Sequence, residues 1–180
     1  MALYGASTEY VLHSLLWLVD HPEPVSSLDL AQMQGIPAAF MAKLLPRLEK
    51  AGLVIAAEGL RGGYQLARPA AQISVLDVVE ATEGHKPLFN CQEIRGRCAL
   101  FGRTPPEWAE RGVCSIHAAM LRAEQAMRAE LAQTTLADLA LTVRNKAPAT
   151  FAGEARDWFE ERARTRKTGR VRQKKCATPP

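Results

Sequence analysis

Residues 25–54, VSSLDLAQMQGIPAAFMAKLLPRLEKAGLV, leave the chain few folds to adopt. Ser26 or Ser27 caps a short helix that Gly35 breaks, and a second helix starts near Pro37 and ends at Gly52. Two helices joined by so tight a turn make a helix-turn-helix. The next segment, LVIAAEGLRGGYQLA, alternates as a strand, turns between Gly59 and Gly63 and alternates again. A hairpin directly after the second helix is a wing. The expected fold class is mainly α: a winged helix-turn-helix with a long C-terminal dimerisation helix.

Further helices flank this unit. From Ala6 to Val19, Val11, Leu12, Leu15, Leu16 and Val19 lie on one side at helical spacing, and DHPEP stops the helix. Its other face carries Glu9, His13 and Trp17, each one turn from the next, which places a carboxylate and an imidazole together away from the core. Residues 73–83 read as a short helix capped by Ser74 and ended at Gly84. SIHAAMLRAEQAMRAELAQ is a long amphipathic helix with Ile116, Met120, Met127 and Leu131 on a stripe. One small domain does not cover a stripe of that length, and the simplest cover is the same helix of a second subunit in a two-fold dimer. TTLADLALTV adds a helix capped by Thr134 or Thr135. The expected organisation is a DNA-binding domain over 1–84, a loop over 85–115, dimerisation helices over 116–145 and an extension with a disordered basic tail over 146–180.

The net charge of +4 averages two unlike parts. From Arg162 to Lys175, RARTRKTGRVRQKK holds eight basic residues and no acid, and the rest of the chain carries fifteen basic against nineteen acidic residues. A tail of this kind adds salt-sensitive affinity for a polyanion such as DNA, or serves only as a solubilising terminus. No run of 18 apolar residues occurs, and MALYGASTEY lacks the pattern of a secretory leader, so the expected compartment is the cytoplasm. Cysteines crowded in a loop of a reducing compartment point to metal or redox chemistry rather than to disulfides.

That loop is NCQEIRGRCALFGRTPPEWAERGVCSIH, residues 90–117, where Cys91, Cys98, Cys114 and His117 fall in a stretch without helical or strand periodicity. Thiolates hold iron-sulphur clusters, and an imidazole or carboxylate replaces a thiolate in sites that respond to redox change. Zinc favours ligand pairs two to four residues apart, and only Cys114 with His117 offers one. Inert buried thiols beside a surface Glu-His pair are the plainer alternative. Cys176, in the basic tail, reads as an exposed thiol without a structural task.

In order along the chain, AGLV, GGYQLAR, ISVLDVVEATEG, the cysteine loop and TTLADL resemble the winged-helix family of iron-sulphur and redox regulators that includes IscR and NsrR, the Rrf-two family. The resemblance spans about residues 1 to 143. It implies a homodimeric transcription factor, usually a repressor, whose hold on DNA follows the state of a cluster. NCQEIRGR and STEYVLHSLLWL, with both Glu9 and His13, resemble most the RsrR-like branch. That likeness implies a 2Fe-2S cluster held by Cys91 and Cys114 of one chain and by Glu9 and His13 of the other. The gaps here are six residues and then fifteen, wider than the family's usual closely spaced cysteines, and CSIH is similar to the Cys-x-x-His of IscR. A rival set is therefore Cys91, Cys98, Cys114 and either His117 or Glu9, around a 4Fe-4S cluster or zinc.

The second helix of the pair is expected in the major groove of double-stranded DNA, at a palindromic operator. Its first turns offer Ala38 and Ala39 for thymine methyls, Phe40 for groove or core, and Lys43 as a flexible donor. Ser27 is expected on a phosphate, and Arg61, with Gly62 and Gly63 beside it, on a phosphate or in a narrow minor groove. Residues 1–69 hold five basic and six acidic groups, which keeps open a cluster-carrying or electron-transfer protein that uses the winged helix for protein docking. An enzyme is not expected, because no Gly-rich phosphate loop and no nucleophile beside a base is present.

Overall fold

The structure, a computed structural model, describes residues 3–59 and 62–176, with side chains placed as far as Arg166. Arg61 and the side chain of Cys176 therefore lie outside the described residues. Helix α1 (Ala6–Leu16) leads to α2 (Ser27–Met33), α3 (Ala38–Lys50) and a hairpin of β1 (Val54–Ala57) and β2 (Gly63–Leu66). Then come α4 (Val75–Glu83), a loop holding the short α5 (Glu107–Glu110), α6 (Ser115–Gln133), α7 (Leu136–Lys146) and α8 (Phe151–Cys176).

Ser26 proves to be the cap of α2, its hydroxyl accepting from the Asp29 N–H at 3.1 Å, while Ser27 is the first helical residue. Gly35, at φ 64°, makes the turn that a side chain would strain, and Pro37 opens α3. Met41, Leu44, Leu45 and Leu48 of α3 are buried with Leu30 and Ala31 of α2 and with Val11 and Leu15 of α1. Each fully buried Leu or Met contributes about 1.5–3 kcal/mol, so this cluster fixes the angle between the two helices of the pair. The hairpin is antiparallel with Val54 opposite Leu66 and Ala57 opposite Gly63. It is also stitched to the residue before α2: Val25 N–H donates to Tyr64 O at 2.9 Å, and Tyr64 N–H to Val25 O at 2.8 Å. A Cβ on Gly63 would stand 2.5 Å from the Val25 backbone, so only glycine lets the wing lie this close.

Helix α4 is capped by Ser74 and ends at Gly84, φ 72°, as expected, and the structure adds a capping box in which Asp77 answers Ser74. It packs on α1, where Thr8 and Thr82 hydroxyls meet at 3.2 Å and Glu83 accepts from the Gly5 N–H at 3.0 Å. Lys86, the Gly5 N–H and the Thr8 hydroxyl hold the Glu83 carboxyl below its ordinary value of 4.5, Lys86 being the largest influence. Helix α7 returns to this domain: Val75 N–H donates to Thr134 O at 2.8 Å, Leu136 N–H to Ile73 O at 2.9 Å, and Leu136 is fully buried. The sequence groups α7 with the dimerisation helices, yet the Thr135 cap pairs with Ser74 and anchors α7 beside α4.

Two expectations are corrected. Helix α1 ends at Leu16 rather than Val19, because Leu18 and Val19 turn back onto Leu15 and Leu16 with three-residue hydrogen bonds. Residues 162–175 form the later turns of α8. All four acids of that helix (Glu154, Asp157, Glu160, Glu161) lie in its first half and most of its bases in the second, the order that favours a helix dipole. Phe159, 3 % exposed, enters the core against Trp17, His21 and Trp158 at ring distances of 6.2, 5.4 and 5.1 Å. Trp17 is consequently covered by α8 and does not share the open face of Glu9 and His13.

Candidate functional site

Two surfaces carry the chemistry-bearing residues. The first is formed by α3 and the wing. Its buried stripe leaves Ala38, Ala39, Ala42, Lys43 and Arg47 exposed on one face of α3. Phe40 is half-buried, edge-on to Tyr10 at 5.6 Å, so it belongs to the core side. Ser27 is half-buried at the start of α2, and Gly62 and Gly63 carry the wing back toward Val25. A side chain on Gly62 would meet Ala57 O at 2.7 Å, which keeps the wing tip narrow.

The second surface is the cysteine loop. Cys91 and Cys114 are half-buried, and Cys98 is exposed. Arg95 ties the two ends of the loop together. Its guanidinium donates to both oxygens of Glu93 at 2.6 and 2.9 Å and to the carbonyls of Glu110 at 3.3 Å and Gly112 at 2.9 Å. Glu93 chiefly, then the Cys114 and Cys91 sulphurs, hold the Arg95 guanidinium above its ordinary range, so both thiols lie within its electrostatic reach. Arg95 in turn depresses the Glu93 carboxyl. Glu93 has φ 46°, the one left-handed non-glycine among the described residues, a conformation that persists only where its surroundings impose it. Gly96 admits the Glu110 carboxylate, and Cys114 stands at the N-cap of α6. Sequence reasoning passed over Arg95; the signal was an arginine two residues from Glu93 and next to Gly96 inside a loop without periodicity.

Glu9 and His13 are exposed one turn apart on α1. His117 is half-buried in the first turn of α6 beside the Phe89 ring, 6.1 Å away. Among the described residues of one chain, no three His, Cys, Asp or Glu side chains gather as metal ligands. The set Cys91, Cys98, Cys114 with His117 or Glu9 is thus not assembled within a chain. Cys91 and Cys114 stand two residues outside the loop segments that Arg95 joins, Glu93 and Gly112. Helix α6 leaves apolar residues open, with Ile116 63 %, Leu121 40 % and Met120 37 % exposed.

The family described as Rrf2: Iron-dependent Transcriptional regulator matches residues 4–142. The chain belongs to the Rrf2 family. An Rrf2 relative, protein rrf2 of Nitratidesulfovibrio vulgaris, is 39% identical over 117 residues, covering 65% of this chain and 71% of its own. The HTH-type transcriptional repressor NsrR of Streptomyces coelicolor is 31% identical over 135 residues, 73% of this chain and 84% of that one. Among solved structures, T. potens IscR superposes with a TM-score of 0.61 at 23% identity, covering 82% of this chain and 92% of that one, which establishes the fold. Rrf2 proteins are transcriptional regulators and not enzymes, and the mainly helical chain with its two-stranded wing has their winged-helix form. Among the described residues, no helix is long and apolar enough to cross a membrane.

Proposed function

We propose that this Rrf2 regulator is a cytoplasmic repressor that binds a palindromic operator as a homodimer, its affinity set by the redox or occupancy state of a 2Fe-2S cluster between subunits. Cys91 and Cys114 hold it from one chain, and Glu9 and His13 of the partner subunit complete the set, as in the RsrR-like branch. What supports the reading is the placement of two half-buried thiols, Cys91 and Cys114, beside the loop segments that Arg95 joins, with no third His, Cys, Asp or Glu gathered with them among the described residues. The exposed Glu9–His13 face and the uncovered apolar residues of α6 supply the missing donors and the contact that delivers them.

A bound cluster supplies a one-electron change in charge at the base of α6. The chain's own residues do the rest. Arg95 keeps the two thiol arms together, α6 carries their position to the subunit contact, and the buried side of α3 keeps the reading face rigid on the core. Ala38, Ala39 and Lys43 face the major groove, while Ser27, Arg61, Gly62 and Gly63 contact the backbone or minor groove. Differential contact in two states is what turns a site event into an affinity change.

Anaerobic purification followed by iron and sulphide counts tests this directly. Two irons per chain, lost with the visible absorption in Cys91→Ala and Cys114→Ala, are expected, with unequal DNA affinity of reduced, oxidised and apo forms. Four irons per chain would transfer the assignment to the set containing Cys98, and zinc alone would reject a cluster. Equal affinity in all three states would remove the switch and leave the DNA binding. The mild acidity of residues 1–69 favours a second reading, a cluster carrier that docks a protein, which predicts that no genomic duplex is retained at low salt.

A further inference from the structure

Helix α8 begins nine residues beyond the end of the family match at 142 and docks on the DNA-binding domain. Its apolar anchor is Phe159 against Trp17 and His21, at the end of α1. Two turns on, it crosses the first turn of α2, where Arg162 Nε donates to Asp29 Oδ1 at 3.0 Å and Arg166 pairs with Asp29 Oδ2. The Asp29 side chain is only 2 % exposed, and Arg162 also stacks over Trp158 at 4.7 Å. Arg166 shares a groove with Pro24, Val25 and Asp29, and Val25 is the residue bridged to Tyr64 of the wing. The helix therefore travels from the back of the domain to the junction of α2 and wing. Past that junction its sequence is KTGRVRQKKC, with Lys167, Arg170, Arg172, Lys174 and Lys175 and no acid, over ten residues or about 15 Å of helix.

We propose that α8 is a docked third DNA-contacting element, which neutralises Asp29 on α2 and presents its basic last turns to the phosphodiester backbone beside the wing. This rests on the DNA-binding reading above and replaces a loose polycation with a helix of fixed direction. The double salt bridge compensates a buried carboxylate at the start of α2, and Arg166, the residue before the basic run in the sequence, already shares a groove with Val25, which the wing bridges. A pre-placed helix contacts a defined stretch of flanking backbone, whereas a loose tail contacts any.

The test uses the full chain, a random-sequence duplex and the genomic duplex it selects best. In a variant with Lys167, Arg170, Arg172, Lys174 and Lys175 all changed to Gln, the slope of log affinity against log salt should shrink by about 0.9 per lost phosphate contact, so by about 2–4 per chain. An unchanged slope overturns the proposal. Phe159→Ala, which undocks the helix but keeps its charges, should shorten the hydroxyl-radical footprint at both flanks of the selected duplex. A full-length footprint from that variant means a loose tail and also overturns it. Should Phe159→Ala lose its circular dichroism signal, Thr168→Pro, which breaks the helix beyond Arg166 and keeps every charge, replaces it in the footprint with the same two outcomes. Failure of the unaltered protein to bind either duplex at low salt rejects the DNA-binding reading itself, a result distinct from both.

Discussion

Removing the Phe159 ring measures how firmly α8 belongs to the domain. The residue is 3 % exposed and contacts three aromatic rings within 6.2 Å, on α1, on the turn after it and on α8 itself. A buried Phe→Ala change costs about 3–5 kcal/mol through lost transfer energy and the cavity left behind. Here the pocket is open at one edge, since Trp17 and Trp158 are only half-buried, and the rings can relax inward. The lower end, about 3 kcal/mol, is therefore expected, and for a chain of 180 residues that lowers Tm by about 6–12 °C. Urea unfolding at fixed protein concentration, followed by the fluorescence of Trp17 and Trp158, reads the loss. Phe151→Ala, at a ring 38 % exposed, is the control and should cost under about 1 kcal/mol. Equal, small losses from both substitutions would refute the docking of α8, since a detached helix has no cavity to leave.

Three further outcomes follow from contacts described above. Gly63→Ala places a Cβ 2.5 Å from the Val25 backbone and should cost about 1–3 kcal/mol in thermal unfolding while weakening DNA binding through the displaced wing. Glu83→Gln should cost about 1–2 kcal/mol at neutral pH. The folded carboxyl lies below its ordinary 4.5, so its contribution is present above that value and disappears as pH falls through the folded value, and urea midpoints of the two proteins should draw together as pH falls below 4.5. Arg95→Gln should speed hydrogen exchange across residues 90–114 with a Tm change under about 2 °C, because its bonds join exposed loop segments rather than core; unchanged exchange would show that the loop holds itself.

The pair α2–α3 and the wing were legible because each boundary is written in local chemistry: Ser26 as cap, Gly35 as turn, Pro37 as opener, and Gly63 where backbones touch. The capping boxes of Ser74 and Thr135 made α4 and α7 equally plain. Helix α8 was hidden by its own charge. Its apolar content is concentrated in Trp158 and Phe159, too short a signal for periodicity, and its arginines read as solvated until the structure pairs two of them with Asp29, more than 130 positions earlier. Trp17 illustrates the same limit, since helical spacing put it with Glu9 and His13 and only the return of α8 covers it. In the cysteine loop, residue type and order single out Cys91 and Cys114 as candidates, but the bracing by Arg95 depends on carbonyls fifteen to seventeen residues away, which spacing does not encode.

The bridge between Ser74 and Thr135 gives α6 a mechanical character. Its 19 residues form a rod of about 28 Å that starts at Cys114 and ends at a fulcrum fastened to the start of α4. A tilt of about ten degrees at that pivot sweeps the Cys114 end through about 5 Å, the scale on which subunits ratchet past one another. A shift at the Cys114 end is therefore scaled down along the lever on its way to the junction with α4.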